Sequence, residues 1–188
     1  MSNPRIISGK SKGIRLDSIP GKITRPITDR VKEALFNIIG ADIQNAAFLD
    51  LFAGTGSVGL EALSRGANFA QFIEINLKAI KILRKNTEKC NLGDNAEILN
   101  GDAFQYIRSK PNTLFDYVFI APPQYHDLWT KMLQEINRNT HLLNKNAWII
   151  AQIDPIEYKD IDLGKLKEFD QRKYGDTLIV FYFFEDSI

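Results

Sequence analysis

The sequence predicts a doubly wound α/β fold, and three observations carry that prediction. Residues 47–67 (AFLDLFAGTGSVGLEALSRGA) run from an apolar strand through a turn of small residues into an apolar helix. Short apolar segments that end in turn residues and lead into helices recur along the chain, giving five strand–helix steps. Near the end, Tyr174-Gly175-Asp176 separates two strand-like runs, which is a hairpin signal. With right-handed crossovers and the ligand turn after the first strand, these features give the sheet order 3-2-1-4-5-7-6, its last strand antiparallel.

In chain order, residues 5–16 (RIISGKSKGIRL) alternate apolar and basic side chains around Gly9 and Gly13. They predict a small hairpin projecting Lys10, Lys12 and Arg15. Pro20-Gly21 marks a turn. In residues 24–40 (TRPITDRVKEALFNIIG), Pro26 blocks an earlier helix start, Thr28 or Asp29 can cap, and Gly40 suits the residue after the helix. Val31, Ala34, Leu35, Ile38 and Ile39 make one apolar face for the sheet. Arg25, Thr28, Asp29 and Arg30 are then left for a ligand or RNA.

The strand 47–51 delivers Asp50 to the mouth of the turn Ala53-Gly54-Thr55-Gly56, and a helix begins near Ser57. Glycines there permit positive φ and close approach of a ligand to backbone amides. Gly54-x-Gly56-x-x-Gly59 matches the dinucleotide spacing. A carboxylate before the turn, however, repels a pyrophosphate and suits cationic or hydroxyl groups. The ammonium, sulfonium and ribose of S-adenosylmethionine fit Asp50 better than NAD does. Phe69–Ile73 is the second strand and ends at Glu74, the usual place of an acid for ribose hydroxyls. Asn76 caps a helix whose buried stripe is Leu77, Ile80, Leu83, Thr87 and Cys90, with Lys78, Lys81, Lys85 and Lys89 on its solvated side.

Ala96–Leu99 is the third strand, followed by Asn100-Gly101-Asp102-Ala103, where Asp102 can accept from an adenine amino group with Phe104 nearby. Tyr117–Ile120 is the fourth, ending in Ala121-Pro122-Pro123-Gln124-Tyr125. Two prolines there remove amide donors and leave carbonyls free to accept. Leu128, Met132, Leu133 and Ile136 mark a helix, and Ala147–Ile153 is the fifth strand, stopped by Asp154-Pro155. Lys167–Lys173 and Thr177–Phe184 form the closing pair, with the Phe181–Phe184 aromatics as core.

Composition narrows the function classes. The net charge of +1 conceals eight basic against three acidic residues within positions 1–33, and the rest of the chain is mildly acidic. A basic arm on an acidic body is an electrostatic footprint for nucleic acid. The single cysteine, Cys90, excludes an internal disulfide and fits a cytoplasmic protein. Residues 1–20 hold no apolar signal core, and no run reaches membrane-spanning length. His126, His141 and Cys90 make no metal constellation. The expected organisation is a basic arm over residues 1–22 and one domain over 23–188.

The segments RIISGKSKGIRL, RPITDRVKEALFNII, LDLFAGTGSVGLEALSRGA, IEINLKAI, NGDAF and YGDTLIVFYF together resemble the RsmD family. These are bacterial methyltransferases acting on a guanine amino group (N2) of small-subunit ribosomal RNA. The resemblance covers nearly the whole chain. It implies a class I, Rossmann-like methyltransferase that uses S-adenosylmethionine and works in the cytoplasm as a monomer on ribosomal RNA or a small-subunit assembly intermediate. It further implies that Asp50, Ala53, Gly54, Thr55 and Gly56 hold the methionine end, Glu74 the ribose, and Asp102 with Ala103 the adenine, with Gly59 and Ile75 also among the cofactor-binding residues. Arg5, Lys10, Lys12, Arg15, Arg25 and Arg30 would meet RNA.

The chain departs from the family at one place. Where the family has Asp or Asn, Pro, Pro and an aromatic residue, this sequence has Ala121-Pro122-Pro123-Gln124, with Tyr125 next. Ala121 offers no side-chain acceptor for amine protons, which leaves the Pro122 carbonyl and the groups at Gln124 and Tyr125. Three functions therefore stay open: an active RNA methyltransferase, a catalytically impaired cofactor- and RNA-binding ribosome factor, and a methyltransferase with another acceptor.

Overall fold

The computed structural model describes residues 4–19, 27–109, 111–124 and 126–185. A seven-stranded sheet runs β3-β2-β1-β4-β5-β7-β6, the predicted order. Its strands are β1 (Ala47–Asp50), β2 (Phe69–Glu74), β3 (Ala96–Asn100), β4 (Phe115–Ile120), β5 (Leu143–Ile153), β6 (Leu166–Tyr174) and β7 (Thr177–Phe184). The first five are parallel, and β7 lies antiparallel to both β5 and β6. The helices are α1 (Asp29–Ile39), α2 (Ser57–Ser64), α3 (Leu77–Lys89), α4 (Ala103–Arg108) and α5 (Leu128–Arg138).

Both sheet faces are covered, so the central strands read as continuous apolar runs rather than alternating ones. On β4, Tyr117 and Phe119 join the core under α1, α2 and α3, while Val118 and Ile120 join the core under α4 and α5. The chain leaves β1 toward β2 and β3, then returns to place β4 on the other side of β1. That reversal opens a crevice at the carboxyl ends of β1 and β4, where sheets of this kind bind ligands.

Local signals set the helix ends. Thr28 caps α1 by accepting from the Val31 amide at 3.3 Å, and Gly40 ends it at φ 65°. Asn76 caps α3, accepting from Lys78 and Ala79. All eight residues of α2 are buried, because the sheet lies beneath it and the N-terminal segment covers its outer side.

That N-terminal segment meets itself through a single antiparallel bridge, Arg5 to Arg15, in place of two regular strands. Ile6 and Leu16 are fully buried in the core shared with α1 and α2. On α3 the buried stripe also differs from expectation. Leu77 is exposed, and Asn86 sits fully buried where an apolar residue would be usual. Asp29, expected to be left for a ligand, is paired instead with Arg5 at 2.7 Å. Pro20, Gly21 and Pro26 lie outside the described residues.

Candidate functional site

The crevice is built from the ends of β1, β2, β3 and β4. The Leu51 amide donates to the Phe119 carbonyl at 3.1 Å and the Ala53 amide to the Ile73 carbonyl at 3.0 Å, so the turn hangs from both neighbouring strands. Gly54 and Gly56 take φ of 56° and 83°. Around the missing Cβ of Gly54 nothing lies within 4 Å, whereas one at Gly56 would meet Leu83 at 2.2 Å. Gly54 thus leaves open space over the turn, and Gly56 lets α3 pack below it. At Gly59 a Cβ would strike the Phe72 ring at 2.3 Å, so its lack of a side chain serves helix-to-strand packing.

Asp50 is 2% exposed. Its Oδ2 accepts from the Gly59 amide at 3.3 Å, while Oδ1 has no hydrogen-bond partner among the described residues. Burial pushes its pKa up to about 7; the Gly59 amide and, more weakly, the Phe52 amide oppose this, and the Glu74 charge adds to it. A buried carboxylate with one bare oxygen is costly unless a partner arrives. Glu74 folds back onto the turn. Its Oε2 accepts from Gly54 at 2.8 Å and its Oε1 from Asn76 at 2.7 Å. A carboxylate has about four acceptor positions, so two remain. Beside it, Ile75 is 67% exposed, an apolar side chain held in water at a strand end.

The β3 end closes the other wall. Asn100 donates to the carbonyls of Glu74 and Ile75 at 3.1 and 3.2 Å, which ties the two strand ends together. Asp102 caps α4, accepting from the Gln105 amide at 2.9 Å, and Ala103 is buried behind it. Across the crevice, Ala121 is half-buried, Pro122 buried and Pro123 exposed, while Gln124 is half-buried. Tyr125 lies outside the described residues.

The basic segment is docked rather than loose. Glu61, fully buried on α2, accepts from the Ile7 and Ser8 amides at 2.7 and 3.0 Å and from Arg65 at 2.7 Å. Lys32 of α1, also fully buried, reaches Glu61 at 3.5 Å and donates to the Arg5 carbonyl at 2.6 Å and the Ser57 hydroxyl at 3.0 Å. Burial pulls the Lys32 pKa down while Glu61 supports its charge. Gly9, at φ 83°, presses onto α2, where a Cβ would overlap the Ser64 carbonyl. Lys10, Lys12 and Arg15 stay exposed on this fixed loop, and so does Arg30 at the start of α1. Arg25 lies outside the described residues.

Asn86 is the residue that sequence patterns missed. Its Nδ2 donates to the carbonyls of Thr55 and Asp17, and its Oδ1 accepts from the Asp17 amide at 2.8 Å. One side chain therefore links the glycine turn to the N-terminal segment. A polar residue on the apolar stripe of α3 was the available signal.

An open cleft of about 520 Å³ lies at β6, lined by Tyr158, Glu168 and Asp170 among others. It is at the sheet edge farthest from the turn on that side and contains none of the candidate residues. Among the described residues no group of three or more His, Cys, Asp or Glu could hold a metal ion, and no helix is long and apolar enough to cross a membrane.

Comparison with known proteins gives a consistent picture. The family described as conserved hypothetical protein 95 matches residues 4–183. The chain is 36% identical over 181 residues to the ribosomal RNA small subunit methyltransferase D of Haemophilus influenzae, covering 95% of this chain and 91% of that one. It is 34% identical over 180 residues to Bacillus subtilis YlbH, described as a candidate rRNA methyltransferase, at 95% and 97% coverage. The solved structure of Escherichia coli yhhF, described as a candidate methyltransferase, superposes with a TM-score of 0.88 at 31% identity, covering 99% and 100% of the two chains.

Proposed function

The chain belongs to the conserved hypothetical protein 95 family, the RsmD family, and on that premise we propose that it is an S-adenosylmethionine-dependent methyltransferase of small-subunit ribosomal RNA, acting in the cytoplasm on a guanine 2-amino group. The observation that carries the cofactor assignment is the bare Oδ1 of buried Asp50 at the mouth of an open glycine turn.

The residues present fit that cofactor. Asp50 supplies the negative partner that an ammonium needs, and the ammonium in turn favours the ionised carboxylate. Gly54 leaves room for close approach. Glu74 keeps acceptor capacity for ribose hydroxyls after its two amide bonds. Exposed Ile75 gains cover from an adenine face, and Asp102 and Ala103 at the start of α4 meet its edge. When bound, the cofactor supplies a methyl group on sulfur, which leaves with the S–C electron pair retained by sulfur.

An exocyclic amine has its lone pair delocalised into the ring and must be turned toward the methyl group. Pro122, without an N–H, offers a carbonyl that accepts one amine hydrogen bond. After transfer the methylated nitrogen carries the positive charge and loses one proton to water. Ala121 contributes no acceptor, and loss of one such group costs about 10²-fold in rate. This same observation favours one second reading, a ribosome-associated factor that binds cofactor and RNA with weak transfer.

The RNA assignment draws support from the docked basic loop. Lys10, Lys12 and Arg15 stand exposed on a segment clamped by Glu61 and Asn86, so they meet phosphates without an ordering cost. The test is transfer of labelled methyl from S-adenosylmethionine to undermethylated small subunits and to their naked RNA, followed by nuclease digestion. Label on N2-methylguanine is the expected result. Label on another nucleotide would overturn the guanine assignment, and none on any RNA would favour the binding factor.

A further inference from the structure

Two segments lie outside the glycine turn and the basic loop in sequence: residues 27–31 at the start of α1, whose Asp29 also pairs with Arg5, and the β6–β7 turn, Tyr174 to Thr177. They meet at a pocket of about 260 Å³ whose wall includes Thr28, Gln124, Gln152, Tyr174 and Asp176. The pocket lies on the crevice side of the sheet. Gln152 stands one residue before the end of β5, opposite Ile179 of β7, and β7 runs antiparallel, so its first residues lie at the sheet end where β4 and β5 also finish. Gln124 belongs both to the pocket and to the segment after β4.

We infer that this pocket receives the acceptor base, with Asp176 and Gln152 reading the guanine edge that carries N1–H and the 2-amino group; the inference rests on the methyltransferase reading above. The chemistry of the wall selects the base. Guanine is the one common base with two adjacent donors on one edge, and a carboxylate is the matching pair of acceptors. A side-chain amide can donate to the neighbouring guanine O6 while also accepting. Asp176 is engaged within the protein as well, and a carboxylate with about four acceptor positions can serve both partners. Tyr174 brings an aromatic face of the kind on which single-stranded bases stack. The volume falls below the roughly 300 Å³ at which whole-ligand sites begin, which suits one planar base flipped from its strand.

The pocket also answers the lack of an acceptor at Ala121. The amine is then held from the β5–β7 side through Asp176, with Gln152 fixing O6, while the Pro122 carbonyl addresses the amine from β4. Asp176 acts here by binding and orienting the base.

The experiment is a titration of the full-length protein, without cofactor, with guanosine, inosine and adenosine 5′-monophosphates, followed by NMR of the Gln124 and Gln152 side-chain amides. Guanosine monophosphate should shift both amides. Inosine monophosphate, which lacks only the 2-amino group, should bind about tenfold or more weakly, and so should adenosine monophosphate. Asp176→Asn should weaken guanosine monophosphate about tenfold or more, and Gln152→Leu, on a rigid strand, should do the same with an unchanged melting temperature. Equal binding of guanosine and inosine monophosphates, shifts confined to the Gly54 turn, or wild-type affinity in both variants would overturn the pocket. Calorimetry with S-adenosylmethionine on the same samples separates the two proposals. Cofactor binding without a response in the pocket sinks the base site alone, and absent cofactor binding sinks the methyltransferase reading.

Discussion

Asn86 holds the Thr55 carbonyl at 3.0 Å from inside α3 while its other contacts grip Asp17. The glycine turn and the N-terminal basic segment thus share one buried side chain. Replacing it with an isosteric apolar residue strands the Thr55 carbonyl and the Asp17 backbone together.

Asn86→Leu should therefore cost roughly 2–4 kcal/mol, since each buried polar group left unsatisfied costs about 1–3 kcal/mol. It should also weaken S-adenosylmethionine binding. Urea unfolding and calorimetry read the two effects. Destabilisation with unchanged cofactor affinity would show that the turn keeps its shape unaided.

Asp50 gives the apo protein a pH signature. Its folded pKa of about 7 lies above the ordinary 3.8, so between those values the folded state binds more protons than the unfolded chain. The group's contribution is complete below the unfolded pKa, and stability falls as pH rises through the folded one. Stability measured by urea between pH 5 and 8 should decline, and Asp50→Asn should remove that slope. Cofactor, by placing an ammonium beside the carboxylate, should flatten the slope in the wild type. A wild-type slope equal to that of Asp50→Asn would be the contrary result.

Removing Glu61 leaves Lys32 charged, buried and unpaired. Such a break costs about 3–5 kcal/mol, and the amides of Ile7 and Ser8 lose their acceptor as well. Glu61→Leu should thus free the N-terminal segment and speed trypsin cleavage after Lys10 and Lys12. Wild-type cleavage rates in this variant would mean that Ile6 and Leu16 anchor the loop by themselves.

Lys10, Lys12 and Arg15 should set RNA affinity without touching the cofactor. Their triple alanine variant should bind RNA more weakly and lower the slope of log affinity against log salt by about 2, from roughly 0.7 per phosphate contact on a single strand. Filter binding at several salt concentrations measures it. A slope equal to wild type would assign RNA contact to other residues.

Ala121→Asp should raise the transfer rate about tenfold to a hundredfold, in line with the worth of a single transition-state hydrogen-bond partner. Its effect on S-adenosylmethionine affinity should be small, because Ala121 lies across the crevice from Asp50. A slower variant would indicate that the pocket already supplies the acceptor and that the new carboxylate repels Asp176.

The strands, the glycine turn and the closing hairpin were legible in sequence because their signals are local. Apolar runs, turn residues and caps act within a few positions of one another, and Thr28, Asn76 and Gly40 cap as their residue types demand. The crossover rule then sufficed for the strand order. Asp50 and Glu74 were legible for the same reason, each standing at a strand end beside a turn.

Partnerships between distant segments were not legible. Glu61 and Lys32 sit in helical patterns as ordinary charged residues, yet they bury together because an arm more than fifty residues away from Glu61 closes over them. Gly59 matched a ligand fingerprint but makes room for Phe72. Thr28, Gln124, Gln152 and Asp176 come from four separate parts of the chain and line one pocket only after the sheet is formed. Sequence by itself determined which backbone each segment adopts, because that choice is made by neighbours along the chain. Tertiary structure alone decided which polar groups are buried and what they face, because desolvation and hydrogen bonding depend on whatever lies across the core.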